Sequence, residues 1–177
     1  MIFKVLFVSI FLFSFTGHHE HAEFMQWTAA RKLNWNDFKA EPPEKASHAA
    51  LTSSGIMFSF STNGKSFRYE LACNFDRNGS WGRVKNDYIL SHEQGHFDIT
   101  EIYTRKLNKA LQNYRFRSAS FNKDIKTIYQ DTMMELEQMQ SQYDRQTDHS
   151  INELQQKDWL TRITTSLDNL EDYSNYH

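Results

Sequence analysis

Hydrophobic and polar residues alternate strictly from about residue 49 to residue 73. The alternating apolar positions are Ile56, Phe58, Phe60, Phe67, Tyr69, Leu71 and Cys73. Asn63-Gly64 lies between the two runs and predicts a two-residue turn. This turn would join strands over residues 56–62 and 65–73, with Thr62 opposite Lys65 and Phe60 opposite Phe67. Because the apolar partners would share one face, the hairpin is expected to cover a core that buries Cys73.

The second half of the chain has helical periodicity. Apolar residues recur every three or four positions from about residue 83 to 115, and again over roughly 121–142. Ser150 and Glu153 form a capping-box pattern that predicts the start of a third helix, and residues 143–149 are expected to form a loop. Residues 27–43 show no clean period and predict an irregular lead-in. The pattern therefore predicts an α+β fold, with a small antiparallel sheet packed on a long helix and two further helices.

The first residues resemble a targeting segment. Lys4 precedes an apolar and small run over residues 5–15, which matches a secretory signal and is too short to span a bilayer. We expect a signal peptide over residues 1–22, export to the periplasm or the medium, and one domain over 23–177; a buried strand or a retained anchor is the alternative. The adjacent residues His18, His19 and His21 suit either a solvated tail or metal capture.

Composition excludes several classes of protein. The 177 residues carry a formal net charge of −2, which argues against a nucleic-acid-binding protein. Hydrophobic residues make up 39%, too many for a disordered chain. A mean hydropathy of −0.71 excludes a protein with several membrane spans, and no span is expected in the mature chain. The single cysteine cannot form an internal disulfide.

Residues 92–96 form an HExxH motif inside the long predicted helix. A spacing of four places His92 and His96 on one helical face, where both imidazoles can bind one Zn²⁺. Glu93 points about 100° away and can accept a proton from a zinc-activated water. Gly95 in a helix interior costs about 1 kcal/mol relative to alanine, which suggests close approach of another chain segment or of substrate.

A catalytic zinc normally has three protein ligands, so one more is needed. Ile99 and Ile102 occupy the positions where a metzincin would need glycine and histidine, which excludes that class. Residues 142–150 gather several possible ligands at a helix-to-helix corner, and His149 is favoured among them. The alternatives are Asp144 and Asp148 in the same segment and Glu135 or Glu137 on the second helix.

Two further residues are candidates for supporting roles. Asp98 is expected either to orient an imidazole N–H or to be a solvated acid. Tyr143 is a candidate catalytic residue that would donate a hydrogen bond to a developing oxyanion, with core packing as the alternative.

Three blocks of sequence resemble the family named domain of unknown function 922, exported bacterial proteins predicted to be zinc-dependent proteases. The blocks are residues 33–38 with 49–52, residues 91–99, and residues 143–149 leading into Gln155 and Trp159. Ser150 stands where the family usually has glycine. The resemblance implies a zincin-like fold with His92 and His96 as zinc ligands and Glu93 as general base, and it strengthens the case for His149.

These observations predict a zinc-dependent metallopeptidase that acts on peptide or protein substrates. Zincins commonly bind extended substrate along a sheet edge, so the hairpin is expected to form one wall of the cleft. A non-catalytic zinc-binding protein of the cell envelope is the main alternative. A metal-handling protein that also uses His18, His19 and His21 is another.

Overall fold

The computed structural model describes residues 23–176, so the expected signal peptide and the histidine cluster at 18–21 lie outside the described residues. The strands come first and the helices follow. They are β1 (Phe24–Gln26), β2 (Ala50–Leu51), β3 (Ser54–Thr62), β4 (Phe67–Asp76), β5 (Trp81–Gly82), α1 (Asp87–Asn113), α2 (Phe121–Thr147) and α3 (Glu153–Asn169). The predicted α+β class, with a small antiparallel sheet and three helices, is confirmed.

The strands form two small antiparallel sheets. β4 lies in the centre of the larger one, in the order β1-β4-β3, and β2 pairs with β5 in the smaller one. Alternation directs Ile56 and Leu71 toward the helices, while Cys73 is 1% exposed, as its place in the apolar stripe predicts. The sheet therefore covers α1 with the face that the sequence pattern indicates.

The predicted register of the hairpin is wrong by two residues. Thr62 pairs with Phe67 and Phe60 pairs with Tyr69, which leaves a four-residue loop over residues 63–66. The Asn63 side chain explains the difference, because its Oδ1 accepts hydrogen bonds from the backbone N–H groups of Lys65 (2.9 Å) and Ser66 (2.8 Å). A shift of two keeps every side chain on its predicted face, so the apolar stripe survives the error.

The helix boundaries differ from the predicted ones where side chains cap the ends. The Asn86 side chain accepts a hydrogen bond from Ile89 N and starts α1. α2 continues to Thr147, so residues 143–147 are helical and the predicted loop is shorter. Asn152, not Ser150, is the N-cap of α3, and it accepts from Gln155 N. Among residues 23–176, no helix has the length and apolarity needed to cross a bilayer.

The irregular lead-in is held against α1 by polar contacts. Leu33 N donates to Gln94 Oε1 at 2.7 Å, and Trp27 Nε1 donates to Asp98 Oδ1 at 2.6 Å. Gln94 also donates to Asp98. These contacts support a small apolar cluster around Trp27 and Phe75 beside the main core of α1, α2 and α3. The helix that bears the HExxH motif is thus enclosed on several sides.

Candidate metal centre

Three side chains from α1 and α2 converge on one point. His92 Nε2 and His96 Nε2 lie 3.2 Å apart, as expected for histidines one turn apart on a helix. Asp144 Oδ1, from the last turn of α2, lies 3.2 Å from His92 Nε2 and 3.0 Å from His96 Nε2. These residues form the set of potential metal ligands found among the described residues. The side chain that converges with the two histidines is therefore an aspartate that the sequence left as an alternative.

The spacing of the three atoms is close to that of a tetrahedral metal site and slightly shorter. Zinc bound at about 2.0–2.1 Å separates neighbouring ligand atoms by about 3.3–3.4 Å, the edge of the tetrahedron. The three observed separations are 3.0–3.2 Å. Two imidazole nitrogens and one carboxylate oxygen are also a common catalytic ligand set for zinc, one that leaves a fourth position for water or substrate. The donors present therefore fit zinc.

Electrostatics couple the three groups. Burial alone would raise the pKa of Asp144, but hydrogen bonds from His92 and His96 hold that pKa well below its usual range. Burial alone would lower the pKa of His96, yet its hydrogen bond to Asp144 and that carboxylate's charge raise the pKa overall. Burial lowers the pKa of His92, which favours a neutral ring. An ionised carboxylate and a neutral imidazole are the protonation states in which these groups bind a metal cation.

Gln140 holds the His96 ring in the orientation that metal binding needs. Its Nε2 donates to His96 O at 2.9 Å and to Thr100 Oγ1 at 3.2 Å, which turns the amide oxygen toward the ring. Gln140 Oε1 then lies 2.6 Å from His96 Nδ1, which must be the donor. With Nδ1 protonated, His96 would present the Nε2 lone pair toward the convergence point once a metal displaces the Nε2 proton that Asp144 accepts. The sequence signal for Gln140 was its position four residues before Asp144, on the same face of α2.

Glu93 lies beside this point in a cleft of about 270 Å³. Its side chain is 3% exposed overall, and the buried Oε2 atom has no hydrogen-bond partner among the described residues. Residues 48–52 and Ser54 line the cleft together with the ligand residues. The prediction that the hairpin forms one wall of the cleft is therefore only partly correct. The hairpin contributes Ser54 alone, and the segment before it supplies the other residues of this wall. Thr52 Oγ1 donates to Glu93 O at 3.2 Å and ties this segment to α1.

His149, the favoured third ligand, lies next to the cluster without joining it. Its Nδ1 is 3.6 Å from Asp144 Oδ1, beyond hydrogen-bonding distance, and its side chain is 46% exposed. Asp148 is exposed at the same corner, and Glu135 and Glu137 are exposed on α2 outside the cluster. Ligation by His149 stays a prediction, and the geometry favours Asp144.

Tyr143 packs behind the two histidines. It is fully buried, stacks on His92 with ring centroids 4.5 Å apart, and donates from its hydroxyl to His92 O at 3.3 Å. Burial, followed by the charge of Glu93, raises the pKa of this hydroxyl. Tyr143 does not line the cleft, so its role as an oxyanion donor stays a prediction that this placement does not favour. Its ring instead fixes His92, whose buried Nδ1 has no hydrogen-bond partner among the described residues.

The same tyrosine explains the glycine of the motif. A Cβ at position 95 would contact the Tyr143 hydroxyl and lie 2.8 Å from Cζ. Close approach of another segment, as predicted, therefore requires Gly95.

Asp98 orients neither imidazole, because its oxygens accept from Trp27, Gln94 and Lys32. Neither predicted role of Asp98 is correct, since it anchors the lead-in.

Comparison with known proteins gives a family and no close relative. No curated protein and no solved structure matches the chain. The family described as "Bacterial protein of unknown function (DUF922)" matches residues 18–150, which is more than half of the chain and includes every residue of the convergent cluster. The chain therefore belongs to the DUF922 family.

Proposed function

We propose that this protein is a zinc-dependent, zincin-like hydrolase that cleaves peptide bonds. The observation that carries the proposal is the convergence of His92, His96 and Asp144 at tetrahedral separations beside the buried Glu93. Three ligands from this chain leave one position open, as catalytic rather than structural zinc sites do. Bound zinc would supply Lewis acidity and lower the pKa of a bound water to about 7.

Glu93 is the general base in this mechanism. Its Oε2 is buried, has no hydrogen-bond partner among the described residues, and belongs to a carboxylate that lines the cleft. Such an oxygen can accept the proton of an attacking water. Water adds its oxygen to the carbonyl carbon, Glu93 passes the proton to the leaving nitrogen, and the C–N bond breaks. The products are a carboxylate and an amine.

The other residues of the centre hold the ligands in place. Gln140 orients His96 through its ring N–H, and Tyr143 supports His92 by stacking. Such supporting contacts typically change metal affinity or activity by about 10–100-fold. Residues 48–52 border the same cleft, and the short strand β2 within them places extended backbone next to the ligands. This arrangement supports a peptide or protein as the substrate.

We further propose that the protein acts outside the cytoplasm. The apolar run at residues 5–15 follows Lys4, which is the pattern of a secretory signal. Fusion of residues 1–22 to a reporter enzyme that is active only after export tests this point. A reporter that stays inactive and cytoplasmic would contradict it.

The main experiment measures metal content and peptide hydrolysis on the purified protein. We expect about one zinc per chain, with hydrolysis of an unstructured protein substrate that a chelator abolishes and zinc restores. Asp144→Ala should lose the zinc, since two imidazoles alone hold it weakly. Glu93→Gln should keep the zinc and lose at least about 10²-fold in rate, because it removes the base without touching a ligand.

The non-catalytic alternative predicts a different result. A zinc-binding envelope protein would carry the same metal, and neither the wild type nor Glu93→Gln would hydrolyse any substrate in a broad peptide library. Wild-type protein that contains no zinc after supplementation would refute both the hydrolase and the non-catalytic zinc-binding alternative.

A further inference from the structure

Two imidazoles form the rim of the cleft next to the ligand cluster. The rings of His48 and His149 pack with centroids 4.3 Å apart at an interplanar angle of 44°, and both residues line the cleft. His48 precedes β2 and His149 follows α2, so two distant parts of the chain bring these rings together. The His149 side chain remains 46% exposed, so its ring faces the cleft and solvent rather than the core.

The backbone that presents His149 is strained. Asp148, His149 and Ser150 have φ values of 48°, 50° and 73°, three successive left-handed residues, none of them glycine. Each such residue costs about 1–2 kcal/mol relative to ordinary backbone. Hydrogen bonds from His149 N to Asp144 O (2.9 Å) and from Asn152 N to Thr147 O (2.8 Å) hold this turn. Strain of this kind concentrates at functional sites, where it fixes a side chain in one direction.

The ring N–H of His149 is available for a ligand. Asp144 already completes the set of three convergent donors, and His149 is not part of that set. Two other polar side chains of the cleft are engaged, since Thr52 donates to Glu93 O and Ser54 Oγ bonds with Thr100 Oγ1. Within residues 23–176, the His149 ring has no hydrogen-bond partner within 3.5 Å, and its Nδ1 atom lies 3.6 Å from Asp144 Oδ1, within ion-pair distance.

We propose that His149 is a catalytic residue that donates its ring N–H to the substrate carbonyl oxygen as negative charge develops there. This inference rests on the proposed hydrolase function. A neutral imidazole carries one N–H, so the role requires no change in its charge. Removing one preorganised donor of this kind typically costs about 10²–10³-fold in kcat. His48 is a positioning residue that holds the His149 ring through their tilted ring contact.

The test compares four variants at the two rim positions with the wild-type protein loaded with zinc. His149→Ala should keep about one zinc per chain with unchanged affinity, and kcat should fall about 10²–10³-fold with little change in KM. His149→Asn keeps an N–H donor and tolerates left-handed backbone, so it should recover part of the loss. His48→Phe should keep most of the activity because it preserves the ring contact, whereas His48→Ala should not.

A binding measurement makes the test independent of finding a good substrate. Acetohydroxamate, a small oxyanion that binds catalytic zinc, is titrated into each zinc-loaded protein by calorimetry. We expect its affinity to fall about 10-fold in His149→Ala and to recover partly in His149→Asn. The matched control Ile151→Ala changes an exposed residue of the same turn and should leave this affinity unchanged.

Three outcomes separate failure of this inference from failure of the proposed function. Loss of zinc in His149→Ala would make His149 a ligand, which overturns the donor role and leaves the hydrolase intact. Unchanged kcat and hydroxamate affinity in that variant would overturn the donor role as well. Absence of zinc from the wild-type protein would refute the hydrolase itself and the inference with it.

Discussion

Replacing Gly95 with alanine tests whether α2 shapes the metal centre by direct contact. The new Cβ would contact the Tyr143 hydroxyl and lie 2.8 Å from Cζ and 3.1 Å from Cε1. Tyr143 is fully buried and stacked on His92, so it cannot move without displacing a ligand. Overpacking of this kind costs about 1–3 kcal/mol. The higher helix propensity of alanine offsets about 1 kcal/mol of this cost, so we expect a net destabilisation of about 0–2 kcal/mol.

Urea unfolding and zinc titration of Gly95→Ala measure the two consequences. We expect the midpoint of unfolding to fall or stay constant and the zinc affinity to drop about 10-fold or more, because the His92 ring is pushed from its position. Gly55→Ala is the matched control, since a Cβ there meets no heavy atom within 4 Å. The control should be neutral or slightly stabilising and should bind zinc as the wild type does.

A second variant identifies the contacting atom. Tyr143→Phe removes the hydroxyl and its long hydrogen bond to His92 O, at a cost of about 0.5–1.5 kcal/mol. If the hydroxyl causes the clash, the double variant Gly95→Ala/Tyr143→Phe should be about 1 kcal/mol more stable than the two single changes predict. A stabilisation of about 1 kcal/mol by Gly95→Ala alone, with unchanged zinc affinity, would refute the reasoning.

Three further predictions concern the support and titration of the centre. Gln140→Leu removes the acceptor of the His96 ring N–H and should weaken zinc about 10–100-fold in a competition titration, whereas an unchanged affinity would show that the contact is dispensable. Ser150→Gly relieves a left-handed residue and should raise the free energy of unfolding by about 0.5–1 kcal/mol; a lower melting temperature would contradict the strain. The pKa of Asp144 is lower in the folded protein than in the unfolded chain, where it is about 3.9. Its carboxylate therefore stabilises the zinc-free protein fully above about pH 3.9, and this stabilisation is lost as the pH falls toward the folded pKa. The free energy of unfolding should therefore decline between pH 5 and pH 2 in a way that Asp144→Asn lacks. Equal slopes of this free energy against pH in the two proteins would refute the coupling.

Local pattern was sufficient for much of the fold. Alternation predicted the two strands and their buried face, including Cys73, because the pleat repeats every two residues. Helical spacing placed His92 and His96 on one face of α1, since that relation depends only on the geometry of the helix. Gly95 indicated that another segment approaches the motif closely. Each of these conclusions depends on residues that are near one another in sequence.

Only the tertiary structure showed which side chains converge with the two histidines. Asp144 and His149 lie five residues apart, and the sequence prediction placed both at a loop corner and favoured His149. The continuation of α2 to Thr147 directs Asp144 toward the two histidines and leaves His149 on the strained turn beyond. The hairpin register depended in the same way on a side-chain turn at Asn63. Periodicity cannot predict such choices, because they depend on where an element ends and what it packs against.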